Sequence, residues 1–133
     1  MQILKTLLTL ALMAAPIPLT AQVSGVWSCA SGSLVVSNQG TVQLSRQWQM
    51  QLSPQGGVYG EGVETNAHGN YPMRFEGTYY IEGNYFAVTA RKEGGFYGGQ
   101  YAFNTRIVSN TVMASQQVYP QGGGIEVSCQ RLQ

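Results

Sequence analysis

Apolar and polar residues alternate along most of this chain. In residues 41–53, Val42, Leu44, Trp48, Met50 and Leu52 share one phase, and Gln43, Ser45, Gln47, Gln49, Gln51 and Ser53 hold the other. A period of two means a long β-strand with one buried face. Ser53-Pro54-Gln55-Gly56-Gly57 then turns the chain. Residues 58–65 read as the next strand, with Gly60 and Gly62 marking a bend or bulge. Tyr71, Met73, Phe75, Tyr79 and Ile81 form a second apolar stripe, and Gly83-Asn84 fits a two-residue hairpin turn. Residues 85–91 return, residues 92–95 read as a turn, and residues 97–108 carry Tyr101, Phe103 and Ile107 on one face. Ser109-Asn110 leads into residues 111–119, residues 120–124 turn again, and residues 125–132 make the last strand with Ile125, Val127 and Cys129 in phase. Near the start, residues 23–30 and 33–37 read as two short strands.

No segment after residue 21 shows helical periodicity, so the chain is all-β, with eight or nine strands joined by short turns. Such a meander hides its edges by closing on itself. The expected fold is a single antiparallel up-and-down β-barrel of about eight strands. Cys29 lies in the first strand and Cys129 in the last, so a bridge between them closes the ring. Their Cα atoms should lie roughly 4.4–6.8 Å apart. A two-sheet sandwich with neighbouring end strands is the alternative.

The first residues place that bridge in an oxidising compartment. Residues 1–21 have a basic start at Lys5, an apolar run over 7–15, and a Pro-broken segment ending at Ala21. This is the pattern of a secretory signal peptide cleaved after Ala21, leaving residues 22–133 as one barrel domain. The apolar run is too short for an ordinary transmembrane helix, and Val26-Trp27-Ser28 before Cys29 does not look like a lipoprotein box. The expected location is therefore periplasmic or secreted, without membrane insertion, and the cysteines should pair. Seven Lys and Arg face six Glu and no Asp. So few cations have little with which to neutralise phosphates, and nucleic acid is not an expected partner.

Catalytic chemistry is sparse. His68 is the only histidine, in an Asn/Gly loop without a second ligand at metal spacing, and reads as an exposed loop residue. Glu61, Glu64, Glu76 and Glu82 read as solvated strand surface rather than an acid–base pair. The glycine clusters precede no helix, so they are turns and not phosphate cradles. No enzyme, cofactor or metal is expected. Arg46 stands out, because alternation puts it on the buried face between Leu44 and Trp48. A buried guanidinium needs a partner: a barrel-interior Glu, carbonyls, water at the barrel mouth, or the acidic head of a ligand. In the last case Trp48, Tyr79 and Tyr101 would form the apolar wall.

Gly25-Val26-Trp27 at the start of the first strand resembles the Gly-x-Trp opening of lipocalin- and avidin-type barrels. That resemblance implies a Trp that plugs the closed end of the barrel. The run Gly56-Gly57-Val58-Tyr59-Gly60 resembles the second avidin hairpin, but this chain has only Trp27 and Trp48 and lacks the late-strand tryptophans that line a biotin site. Trp27-Ser28-Cys29-Ala30-Ser31-Gly32, with Cys129, is similar to the outline of periplasmic inhibitors of c-type lysozyme. Ala67-His68-Gly69-Asn70-Tyr71 departs from that family's inhibitory loop by lacking its basic residue. The leading expectation is an exported, non-enzymatic barrel that binds a small apolar or acidic ligand inside or an extracellular protein at its loops. The alternatives are an inhibitor of an extracellular hydrolase acting through Asn66, His68, Asn70 and Tyr71, and a surface or assembly component using the Gln-rich face of residues 43–51.

Overall fold

The computed structural model describes residues 19–37, 40–95, 98–118 and 123–132. A short helix α1 (Leu19–Val23) precedes eight strands: β1 (Gly25–Ser37), β2 (Gly40–Leu52), β3 (Gly57–Asn66), β4 (Gly69–Glu82), β5 (Tyr85–Gly94), β6 (Gly99–Ile107), β7 (Val112–Val118) and β8 (Gly123–Arg131). They pair in chain order, all antiparallel, and β1 also pairs with β8, closing the barrel. The sandwich alternative is thereby overturned. Cys29 and Cys129 are direct partners in the β1–β8 register, joined as a disulfide with Cα atoms 4.0 Å apart, closer than the expected range because they stand directly opposite on adjacent strands. The expected signal segment up to residue 18, and the expected turn at 120–124 up to residue 122, lie outside the described residues.

Several elements differ from the sequence expectation. Residues 25–37 are one strand, because both β2 and β8 pair with it across Ser31-Gly32-Ser33. The β2–β3 register runs unbroken from Leu52↔Val58 to Ser45↔Thr65, so Gly60 and Gly62 form no bulge there. Gly60 instead makes room for a ring: a Cβ on it would stand 2.3 Å from Cζ of Phe75. Val42 keeps the inward phase but is 62% exposed, since β2 is registered with β3 only from Ser45 onward and the β1–β2 hairpin projects beyond. The expected turn at 92–95 is mostly strand. Lys92 continues the inward phase of Phe86, Val88 and Ala90 and is buried.

The interior divides into two halves. The floor is apolar and close-packed, with Trp27, Met50, Phe86 and Met113 almost fully buried. Helix α1 closes this end. Trp27 Nε1 donates to Val23 O at 2.8 Å, and the Arg131 guanidinium lies 4.8 Å above the Trp27 ring. Arg131 also donates from Nη1 to Ser24 O at 2.7 Å and from Nη2 to Gln22 O at 2.5 Å. A Trp at the closed end is what the Gly-x-Trp resemblance implies. The opposite half, toward the β3–β4 turn, holds the polar interior.

Candidate functional site

Four strands bring an ionic cluster into the upper barrel. Arg46 from β2 and Glu64 from β3 are register partners, and Arg46 Nε donates to Glu64 Oε2 at 2.8 Å. Lys92 from β5 donates to the other carboxylate oxygen, Oε1. Glu64 is fully buried and Lys92 is 5% exposed. Tyr101 from β6 stands beside both cations, with Arg46 and Lys92 at 5.5 and 5.7 Å from its ring centroid. Burial pushes the Tyr101 phenol up to about 12, partly opposed by the Arg46 charge. Gly95, at φ +73°, presses its backbone against the carboxylate: a Cβ there would stand 1.7 Å from Glu64 Oε1. No side chain fits that position without displacing the carboxylate or its lysine.

Beside this cluster lies a cavity of about 420 Å³. Arg46, Trp48, Tyr101, Phe103, Thr105 and Val127 are among its walls. Trp48 and Phe103 meet edge-on with centroids 5.3 Å apart, and Phe103 touches Tyr101 at 5.7 Å. Two wall atoms are buried without a hydrogen-bond partner, Trp48 Nε1 and Thr105 Oγ1. Buried polar groups are nearly always satisfied in native proteins, so two orphans on one cavity wall are informative.

The cavity reaches the surface sideways. Exposed residues of β6, Ala102, Asn104 and Arg106, line it together with inward residues of the same strand. The cause is the β6–β7 seam, which is registered only at Arg106↔Ala114 and Ile107↔Met113 among the described residues. Above that point Ser115 Oγ donates to Asn104 O at 3.0 Å in place of a ladder bond. A larger depression of about 720 Å³ lies outside the barrel, lined by exposed side chains such as Ser28, Gln47, Gln49 and Gln130. It holds no orphaned polar atom apart from the shared Trp48.

No protein-family model matches this chain, and no curated protein does. Its likeness to solved structures is one of fold. The redesigned β-barrel mFAP1, bound to DFHBI, superposes with a TM-score of 0.51 at 14% identity, covering 84% of this chain and 97% of that one. A de novo designed fluorescence-activating β-barrel gives 0.49 at 11% identity over 84% and 95% of the two chains. Rv2717c from M. tuberculosis gives 0.37 at 12% identity over 85% and 94%. The likeness to mFAP1 is one of the small closed barrel fold.

The structure brings Arg46, Trp48 and Tyr101 to one cavity. It does not bring Tyr79 there. Tyr79 belongs to the floor, where its hydroxyl donates to Ser53 O and to Thr20 O, the latter at 3.0 Å, and its ring meets Phe86 at 5.4 Å. Asn66, His68, Asn70 and Tyr71 surround the β3–β4 turn and stand apart from the cavity walls. His68 is exposed, and its N–H donates to Asn66 Oδ1 at 2.7 Å, a side-chain-stabilised tight turn. Among the described residues no three His, Cys, Asp or Glu side chains converge for a metal.

Three site residues escaped the sequence reading: Glu64, expected on the solvated surface, Lys92, expected in a turn, and Thr105. Each had a signal. Glu64 shares the phase of Val58, Lys92 that of Val88, and Thr105 that of Phe103 and Ile107. Two intervening glycines hid the phase in β3, and a charged residue at a strand end reads as a strand terminus.

Proposed function

We propose that this protein is an exported, non-enzymatic binding protein that holds one small ligand in the upper half of its barrel. One observation carries the reading: Trp48 Nε1 and Thr105 Oγ1 are buried and unpartnered on the wall of a 420 Å³ cavity. Leaving each unpaired costs about 1–3 kcal/mol, and a ligand that pairs with them recovers that cost. Eight-stranded barrels are wide enough for one small ligand, and mFAP1, of the same fold, is bound to one.

The remaining features agree with this reading. The charged members of the cavity wall among the described residues are Arg46 and Arg106, which suit holding a ligand by charge. The outer face of β2, Gln43 to Gln51, is polar and exposed, unlike the apolar band of a membrane barrel. The signal-like start and the paired cysteines suit export.

Native mass spectrometry of protein purified gently from the exported fraction tests the proposal. A stoichiometric small-molecule adduct that vanishes in Trp48→Phe/Thr105→Val is the expected result. A bare chain that also binds no hydrophobic probe would overturn it.

A further inference from the structure

We propose that the ligand is a small monoanion, with a flat apolar body against Trp48 and Phe103 and an acidic head on the unused side of Arg46. This rests on the interior-ligand reading above and specifies its chemistry. The argument is a count of buried charges. Glu64 brings one negative charge and is fully buried, with both oxygens occupied, one by Arg46 and one by Lys92. Two cations against one carboxylate leave one positive charge unbalanced at the partly exposed Arg46, on the cavity wall. No carboxylate lines the cavity, and its other charged wall residue is Arg106. A partly desolvated charge without a full counter-ion is costly, and one small anion offsets that cost.

The hydrogen-bond inventory points the same way. Arg46 commits only Nε to Glu64. Its two terminal nitrogens stay uncommitted among the described residues, on a side chain that is 23% exposed and lines the cavity. A guanidinium donates and never accepts. Trp48 Nε1 is likewise donor-only, and it is orphaned. The cavity therefore asks its occupant for acceptors at two places and for a negative charge at one. Thr105 Oγ1 can donate or accept and so does not discriminate, whereas a cationic occupant would add to the unbalanced positive charge at Arg46. The two faces of the site also differ in kind, since Trp48 and Phe103 offer aromatic surface while Arg46 offers charge. The class that fits is an aromatic or branched-apolar carboxylate or sulfonate.

The test uses two fluorescent probes that share a naphthalene–aniline body, anilinonaphthalene sulfonate and the neutral phenylnaphthylamine, titrated into the oxidised, signal-free protein. The sulfonate should bind at least about tenfold more tightly, the scale of one charge-assisted hydrogen bond. Arg46→Gln should reduce that preference to about threefold or less, and Arg46→Lys should restore part of it. Equal affinities in the unsubstituted protein, or tighter binding of the neutral probe, would overturn the monoanion proposal while leaving an interior ligand site in place. Binding of neither probe would overturn the interior site itself. A sulfonate preference that survives Arg46→Gln would overturn the assignment to Arg46. The comparison in the unsubstituted protein decides the charge preference even if an Arg46 variant fails to fold.

Discussion

Thr105 and Glu64 are both polar side chains inside the barrel, and their surroundings treat them oppositely. Glu64 has a donor on each oxygen, whereas Thr105 Oγ1 has no partner. Replacing Thr105 by the isosteric Val should therefore stabilise the empty protein by about 1 kcal/mol. It should also weaken ligand binding, an opposition that urea melts with and without a bound probe will reveal. Glu64→Gln should do the reverse, leaving Lys92 buried without its counter-ion at a cost of about 3–5 kcal/mol. Adding Lys92→Met should recover much of that loss, and a double-mutant urea series measures it. Tyr101 carries a pH signature. Its folded-state pKa is raised to about 12, above the ordinary value of about 10. Its contribution is thus intact below pH 10 and is lost as pH rises through 12, amounting to about 2–3 kcal/mol. Ultraviolet titration of the wild type against Tyr101→Phe should show one tyrosine ionising late and a shallower alkaline loss of stability in the variant. Of these residues the sequence exposed Arg46, because an arginine between Leu44 and Trp48 violates the pattern of its neighbours. Glu64 was hidden because its phase-mates Gly60 and Gly62 carry no side chain by which to show which face is buried.

Strands were the most legible feature, since alternation over ten or more residues has one structural meaning. The Gly83-Asn84 hairpin and the β1–β8 adjacency also followed from local chemistry, one from turn residues and the other from the two cysteines. What alternation cannot show is how well two strands stay paired. The β6–β7 seam, registered at two positions among the described residues, has a composition like that of its neighbours. Amide exchange should expose this. The backbone N–H groups of Ala102 and Asn104, which face the unregistered part of the seam, should exchange at least about tenfold faster than those of Val88 and Ala90 on the neighbouring strand, because exchange tracks local opening. Ser115→Ala removes the side-chain tie to Asn104 O and should widen the difference, with little change in global stability. The disulfide closes the β1–β8 seam, two seams round the ring from β6–β7, and acts on the unfolded chain. It joins residues 100 apart in sequence, so reduction should cost about 2–5 kcal/mol. Urea midpoints in the presence and absence of reductant give the value.

The molecule separates its two tasks along the barrel axis: the floor is packed and supplies stability, and the upper half carries buried polarity and cavity volume that a stable protein does not need. Residues 19–24 belong to the floor. Signal cleavage after Ala21 would remove Thr20, whose carbonyl accepts from Tyr79, yet leave that hydroxyl its Ser53 acceptor. It would keep Gln22 O, Val23 O and Ser24 O, which Arg131 and Trp27 hold. Protein from the exported fraction should accordingly begin at Gln22 by N-terminal sequencing. The separation itself is testable at Trp27. Trp27→Phe keeps a ring in the floor but deletes the bond to Val23 O and weakens the contact with Arg131. Those losses together should cost about 2 kcal/mol. The cavity walls do not include Trp27, so the affinity of the folded protein for anilinonaphthalene sulfonate should stay within about twofold of the wild type. A urea midpoint that falls while the dissociation constant holds is the signature of a floor that only supports. A parallel fall in affinity would mean instead that the plug at one end sets the shape of the cavity at the other.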